Sequence, residues 1–209
     1  MEKRKVFFGG TFDPVHNGHL IVARAIAETL GLERITLVPA ARSPHKDGAH
    51  ATGAERLAML ALATEGESVF AIADLEIHRT GPSYTVDTIR QLRKAYGAKA
   101  RLAWVIGADM LEDLPKWHQV RDLMELTDLI VAVRPPWHTR LDQVFAGLEA
   151  AFGRQRVNKL RRSVIPTPTV EISSTDIRDR VARGLSIRYL VPEAVEKYIG
   201  EHPIYASNA

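Results

Sequence analysis

The chain has 209 residues, of which 45% are hydrophobic, 25% are charged and none is cysteine. That composition suits one sizeable core and excludes a disordered chain, a disulfide scaffold, a cysteine zinc site and thiol chemistry. Lys and Arg number 28 against 25 Asp and Glu, and a net charge of +3 is too small to mark a nucleic-acid binder but suits small anionic substrates.

In chain order, Val6-Phe7-Phe8 reads as a strand stopped by Gly9-Gly10. Residues 20–30 are rich in Ala and Leu without Pro, which predicts a helix ended by Gly31. Residues 35–38 are β-branched and apolar up to Pro39, which predicts a strand. A helix over 55–63 and a strand over 69–73 follow. The spacing over 85–96 predicts a helix with Val86, Ile89, Leu92 and Tyr96 along one face. Residues 102–106 and 129–133 are buried-strand candidates. Arg134-Pro135-Pro136-Trp137-His138 reads as a stiff, extended connection. Residues 154–162 hold five basic residues and no acid, which predicts a solvated face, with an anion-facing patch as the alternative. The stretch 192–199 reads as a short helix with proline at its start.

Strand alternating with helix predicts an α/β protein, a Rossmann-like doubly wound parallel sheet with helices on both faces. One domain over 1–209 is expected, with a C-terminal helical portion from about 174. Ligands of such sheets bind at the carboxyl ends of the strands, so the loops that follow strands carry the chemistry. No stretch is long and apolar enough to span a bilayer. The apolar run after the basic N-terminus is too short for a signal peptide, so the expected location is the cytoplasm, with no membrane partner.

The most informative loop is Gly9-Gly10-Thr11-Phe12-Asp13-Pro14-Val15-His16-Asn17-Gly18-His19, between the first strand and the first helix. Paired glycines let backbone approach a ligand and present N–H groups to phosphate oxygens. The pattern is neither G-x-x-x-x-G-K-[ST] nor G-x-G-x-x-G, so a nucleotide site here needs another design. His16 and His19, three residues apart at a helix start, can share a face and add donors where the helix N-terminus already attracts anions. Zinc ligation is disfavoured because no third ligand follows at familiar spacing, and capping with packing is the remaining alternative.

This loop closely resembles the opening of the nucleotidylyltransferase superfamily, with its His-x-Gly-His signature. Ile172-Ser173-Ser174-Thr175-Asp176-Ile177-Arg178 reads as a capped helix start. It resembles the superfamily's second signature, Ser-Ser-Thr-x-Ile-Arg. Ile106-Gly107-Ala108-Asp109 ends a predicted strand, where Gly107 permits close approach and Asp109 can accept from ribose hydroxyls. In the superfamily the equivalent Gly-x-Asp lies at the ATP adenosine. Three further segments resemble nicotinate mononucleotide adenylyltransferases: Ser43-Pro44-His45-Lys46, Gly81-Pro82-Ser83-Tyr84-Thr85-Val86-Asp87-Thr88 and Leu114-Pro115-Lys116-Trp117. Where such proteins often carry a second aromatic after the Trp, this chain has His118.

The resemblance implies adenylyl transfer from ATP to nicotinate mononucleotide, giving deamido-NAD and pyrophosphate. It implies His16, His19 and Arg178 as the catalytic groups. Gly9, Gly10, Thr11, Phe12, Ile106, Gly107, Asp109, Ser174 and Thr175 would join them around ATP. His45, Lys46, Tyr84, Thr85 and Trp117 would hold the mononucleotide. Mg²⁺ is expected, held by ATP phosphates and water rather than by a protein cage. Nucleic acid is not an expected partner, and oligomeric state stays open, a homo-oligomer included.

Overall fold

The β-branched and aromatic runs become the strands of one sheet, and the computed structural model describes residues 4–41 and 49–206. Among the described residues the order is β1 (Lys5–Gly10), α1 (Asn17–Thr29), β2 (Ile35–Pro39), α2 (Gly53–Thr64), β3 (Phe70–Ile72), α3 (Thr85–Tyr96) and β4 (Leu102–Gly107). Then come α4 (Val120–Leu126), β5 (Asp128–Val133), α5 (Leu141–Phe152), α6 (Arg154–Arg161), β6 (Val164–Pro166), α7 (Ser174–Ala182) and α8 (Glu193–Glu201). The strands pair in parallel in the order β3-β2-β1-β4-β5-β6, a Rossmann-like doubly wound sheet. Strand order reverses at β1, which pairs Val6 with Ile35 on one side and with Ala103 on the other.

Period-two alternation sends successive strand side chains to opposite faces, and both faces are covered. On one face Leu102, Trp104, Leu129 and Val131 pack with Ile89 of α3, Leu123 of α4, Leu148 of α5 and Leu160 of α6. On the other Val6, Ile35, Ala103 and Ile130 pack with Ile26 of α1, Met59 and Leu60 of α2, Ile177 of α7 and Val195 of α8. Each helix therefore supplies an apolar stripe to one of two cores. No described helix is long and apolar enough to cross a membrane.

Several boundaries differ from the sequence expectation. Helix α1 starts at Asn17 rather than residue 20, because His16 caps it. Tyr96 leaves the apolar face of α3, 45% exposed, with the Lys5 ammonium 4.6 Å from its ring centre. Helices α4 and α5 and the three-residue strand β6 had no counterpart in the sequence expectation. Strand β6 is too short to show alternation, and its pairing with β5 is what makes it a strand. The basic run becomes α6, with Arg156 on Glu125 (3.0 Å), Lys159 on Asp128 (2.6 Å) and Arg161 on Asp142 (2.6 Å). Those pairings make it a surface face rather than a free anionic-ligand patch.

Gly9 is required by packing. A Cβ there would lie 2.1 Å from the Trp104 ring. Gly9→Ala is therefore expected to lower stability by about 1–3 kcal/mol through overpacking. Trp104→Phe in the same chain, which shortens the ring, should recover part of that loss. Urea unfolding checks both, and an unchanged midpoint in the single variant would rule the clash out.

Candidate active site

The loop after β1 is shaped by its own rings. Phe12 adopts φ +49°, uncommon for a bulky residue, and is held there by burial. Its ring packs edge-on against Phe8 (6.0 Å between centres) and His19 (4.9 Å). His16 and His19 then form a reciprocal cap at the start of α1. The His19 N–H donates to His16 Nδ1 and the His16 N–H to His19 Nδ1, each at 3.3 Å. Their rings stack with centres 3.6 Å apart. Because both Nδ1 atoms accept, each neutral ring carries its proton on Nε2, the edge away from the cap.

The second signature docks on the first. Ser173 caps α7 by accepting from the Asp176 N–H at 3.0 Å, and Ile177 is buried in the core. Ser174 Oγ donates to the Pro14 carbonyl at 3.0 Å. Arg178 donates to the Asp13 carbonyl at 2.8 Å and to Thr175 Oγ1 at 3.2 Å. The start of α7 is thereby fixed beside the start of α1.

Between them lies a cavity of about 350 Å³, lined by His16, His19, Gly107, Asp109, Ser173, Ser174 and Thr175. Asp109 reaches it because Gly107 has no Cβ, which would meet the Asp109 carboxylate at 2.2 Å. Arg134, Trp137, Thr167, Val170 and Ile172 also line it and were not assigned to the site from sequence. The extended connection expected over 134–138 instead turns at Pro135-Pro136 into a short 3-10 helix at Trp137–Thr139, and the adjacency of β5 to β4 brings that loop to the cavity. Other expected residues stand behind the lining. Gly9 packs on Trp104, Gly10 lies under the Phe12 ring, and Ile106 is core. The Thr11 carbonyl is held from below, and the Arg178 guanidinium is turned to Asp13.

Of the residues expected around the mononucleotide, Tyr84 and Thr85 lie past the carboxyl end of β3 at the start of α3, and Trp117 lies between β4 and α4. His45 and Lys46 lie outside the described residues. Ser83 Oγ accepts from the Ala41 N–H at 3.0 Å, which seats Ser83-Tyr84-Thr85 against the end of β2. Tyr84 heads α3 with no side-chain cap, and its ring stacks on His118 with centres 4.3 Å apart. Trp117 packs, half-buried, against the same core as Tyr84.

Arg56 and Glu76 are buried ionisable side chains that support these loops, and neither was singled out from sequence. Arg56 of α2, 1% exposed, donates to the carbonyls of Thr11 (2.8 Å), Ala40 (2.6 Å), Ala41 (3.2 Å) and Ala51 (3.3 Å). Burial pushes its pKa down, while Asp13 and Tyr205 pull it back up. Glu76, 3% exposed, accepts from Thr88 Oγ1 at 2.5 Å and from the Ser83 hydroxyl. Burial raises its pKa against the lowering effects of Thr88, Ser83 and Arg79.

The fold and this cavity place the chain in a definite class. A model described as cytidylyltransferase-like matches residues 7–180. Relatives from Thermomicrobium roseum and Serratia proteamaculans, each named "Probable nicotinate-nucleotide adenylyltransferase", are 47% and 40% identical. The first alignment covers 95% of this chain and 89% of the relative, the second 95% and 93%. The structure titled Plasmodium falciparum nicotinic acid mononucleotide adenylyltransferase complexed with NaAD shares the fold at TM-score 0.74 and 18% identity, over 98% of each chain. The chain belongs to the cytidylyltransferase-like family, among its nicotinate-nucleotide adenylyltransferases.

The raised pKa of Glu76 has a measurable consequence. The folded protein holds that proton more tightly than the unfolded chain does, so this group erodes stability as pH rises above its ordinary 4.5 and through the folded value. Glu76→Gln should lack that loss. The stability of the variant relative to the parent is expected to improve as pH is raised from about 4.5 toward 8. Denaturant unfolding at several pH values checks this, and a pH-independent difference would contradict it.

Proposed function

We propose that this chain transfers the adenylyl group of ATP to nicotinate mononucleotide, releasing deamido-NAD and pyrophosphate. The carrying observation is that His16 and His19 line one cavity with the start of α7 and with Asp109. Donors for phosphate and an acceptor for ribose thus meet in one crevice, over the point where strand order reverses.

The mononucleotide phosphate is already anionic at neutral pH, so no side chain need act as nucleophile. Its oxygen attacks the α-phosphorus in line, and the α–β bridging oxygen leaves with pyrophosphate. Catalysis is then positioning and charge stabilisation. The Nε2–H groups of His16 and His19 donate to the phosphates, with His19 at the α-phosphate, where charge builds. N–H groups at the start of α7, with Ser174 and Thr175, receive the β- and γ-phosphates. Arg178 stands one hydrogen bond away, on Thr175. Asp109 takes the ribose hydroxyls, and Gly107 leaves room for the sugar.

Mg²⁺ is part of the proposal. The described cavity lining holds one carboxylate, Asp109, beside His16, His19 and Arg134. That donor set fits a cation carried on phosphate oxygens and water, which neutralises phosphate charge.

The mononucleotide side rests on α3. Its first-turn N–H groups, headed by Tyr84 without a side-chain cap, suit the carboxylate of nicotinate better than a carboxamide. Trp117 and the Tyr84–His118 stack offer flat faces to the pyridine ring. His45 and Lys46 belong to this proposal by resemblance alone.

His19→Ala is expected to lower kcat by about 10²–10³ with the fold retained, as for loss of one donor to a developing charge. Pyrophosphate release with Mg-ATP and nicotinate mononucleotide measures it, and near-normal turnover would remove His19 from its role. In the same assay the unaltered protein should prefer nicotinate mononucleotide to the nicotinamide form. Equal use of both would discard the carboxylate argument while keeping the chemistry.

A further inference from the structure

Arg56 is a costly residue to bury, and its hydrogen bonds among the described residues all go to loop carbonyls. Its four carbonyl partners come from three separate places: Thr11 after β1, Ala40 and Ala41 after β2, and Ala51 just before α2. A buried guanidinium is tolerated when its donors are satisfied, and here they satisfy carbonyls that the sheet and helices leave over. Its electrostatic partner, Asp13, is equally committed. The Asp13 carboxylate accepts from the N–H groups of His50 (2.7 Å) and Ala51 (3.1 Å) and from the Tyr205 hydroxyl (2.6 Å). The Asp13 carbonyl accepts from Arg178 at 2.8 Å.

These bonds form one connected path. It runs from Arg178 and the β1 loop, on the triphosphate side, to both flanks of the segment after β2, on the mononucleotide side. We propose that Arg56, Asp13 and Tyr205 form a positioning clamp that sets the two substrate sites against each other, touching neither substrate. Their substitution would misalign the acceptor phosphate and the α-phosphorus without removing a group that binds ATP. Tyr205 brings the C-terminal segment into this arrangement, 192 positions from Asp13 in the chain.

In-line transfer is sensitive to such alignment, since displacement of about 1 Å can cost on the order of 10²-fold in rate. Lysine at position 56 keeps the charge but has one nitrogen, which cannot reach carbonyls that the planar fork spans. Phenylalanine at position 205 removes only the hydroxyl on Asp13.

The test compares the parent with Arg56→Lys and Tyr205→Phe. ATP affinity is measured by calorimetry without mononucleotide, and kcat and KM for nicotinate mononucleotide at saturating Mg-ATP. Amide hydrogen exchange at His50 and Ala51 is followed in the substrate-free protein. Expected are a fall in kcat/KM of about tenfold for Arg56→Lys and about threefold for Tyr205→Phe, with the ATP dissociation constant within about threefold of the parent. Exchange at His50 and Ala51 should quicken in both.

A loss of kcat/KM no greater than the loss of folded fraction would overturn the clamp, as would unaltered exchange. Should Arg56→Lys fail to fold, Tyr205→Phe decides alone. The proposal rests on the adenylyl-transfer reading, and the two fail separately. Absence of turnover in the parent would refute the reaction. The exchange and ATP measurements would then still judge the clamp, with unaltered exchange or a large loss of ATP affinity counting against it.

Discussion

The reversal of strand order at β1 sets the rest of the site. Going from β1 to β2 to β3, the chain winds in one direction and lays α1 and α2 on one face. It then returns past β1 through α3 to β4, winds the other way, and lays α3 to α6 on the opposite face. Right-handed crossovers leave no other solution for parallel strands. The loops after β1 and β4 therefore diverge, and a crevice opens where they part. His16 and His19 stand on one side of it, and Gly107 and Asp109 on the other. Short β6 and the loop after β5 extend that wall, which is how Arg134 and Thr167 come to share a cavity with the start of α1.

A crevice made of loop ends carries a cost that an apolar core cannot meet. Carbonyls and N–H groups past the last strand residue have no ladder partner, and burying them bare is unfavourable. Arg56, Asp13 and Glu76 meet that need. Each is nearly inaccessible to solvent, and each is bonded to loop backbone or to hydroxyls that hold loop backbone. The structure thus uses buried charge for the local order of its loops, and leaves general stability to the two apolar layers. This accounts for the split character of α2, whose Met59 and Leu60 enter the core while Arg56, a turn earlier, enters the loops.

Much of this was legible in residues. Uninterrupted apolar runs over 102–106 and 129–133 and the stripe Val86, Ile89, Leu92 marked strands and a helix, because a sheet covered on both faces demands apolar side chains throughout and a helix demands them on one face. The two signatures were legible too, and their parts now have separate physical tasks. Ser173 caps, Ser174 ties α7 to Pro14, Ile177 anchors in the core, and Arg178 bonds the Asp13 carbonyl. Helix α5 and strand β6 were not legible, since their apolar residues acquire meaning only against neighbours far along the chain. The same holds for Arg56. As a sequence feature it is one cation in an amphipathic helix, where exposure is the usual expectation.

Local chemistry, carried by consecutive residues, is what the sequence determined: the parallel α/β architecture, the paired histidines at a helix start, the capped start of α7 and the family resemblance. Tertiary structure alone decided which loops meet. It put Asp109 across from His16, stacked Tyr84 on His118, and brought Tyr205 to Asp13. The physical reason is range. Periodicity, capping and turn chemistry act over a few residues, whereas adjacency across a parallel sheet depends on strand order and on which partners satisfy the buried polar groups at its edge.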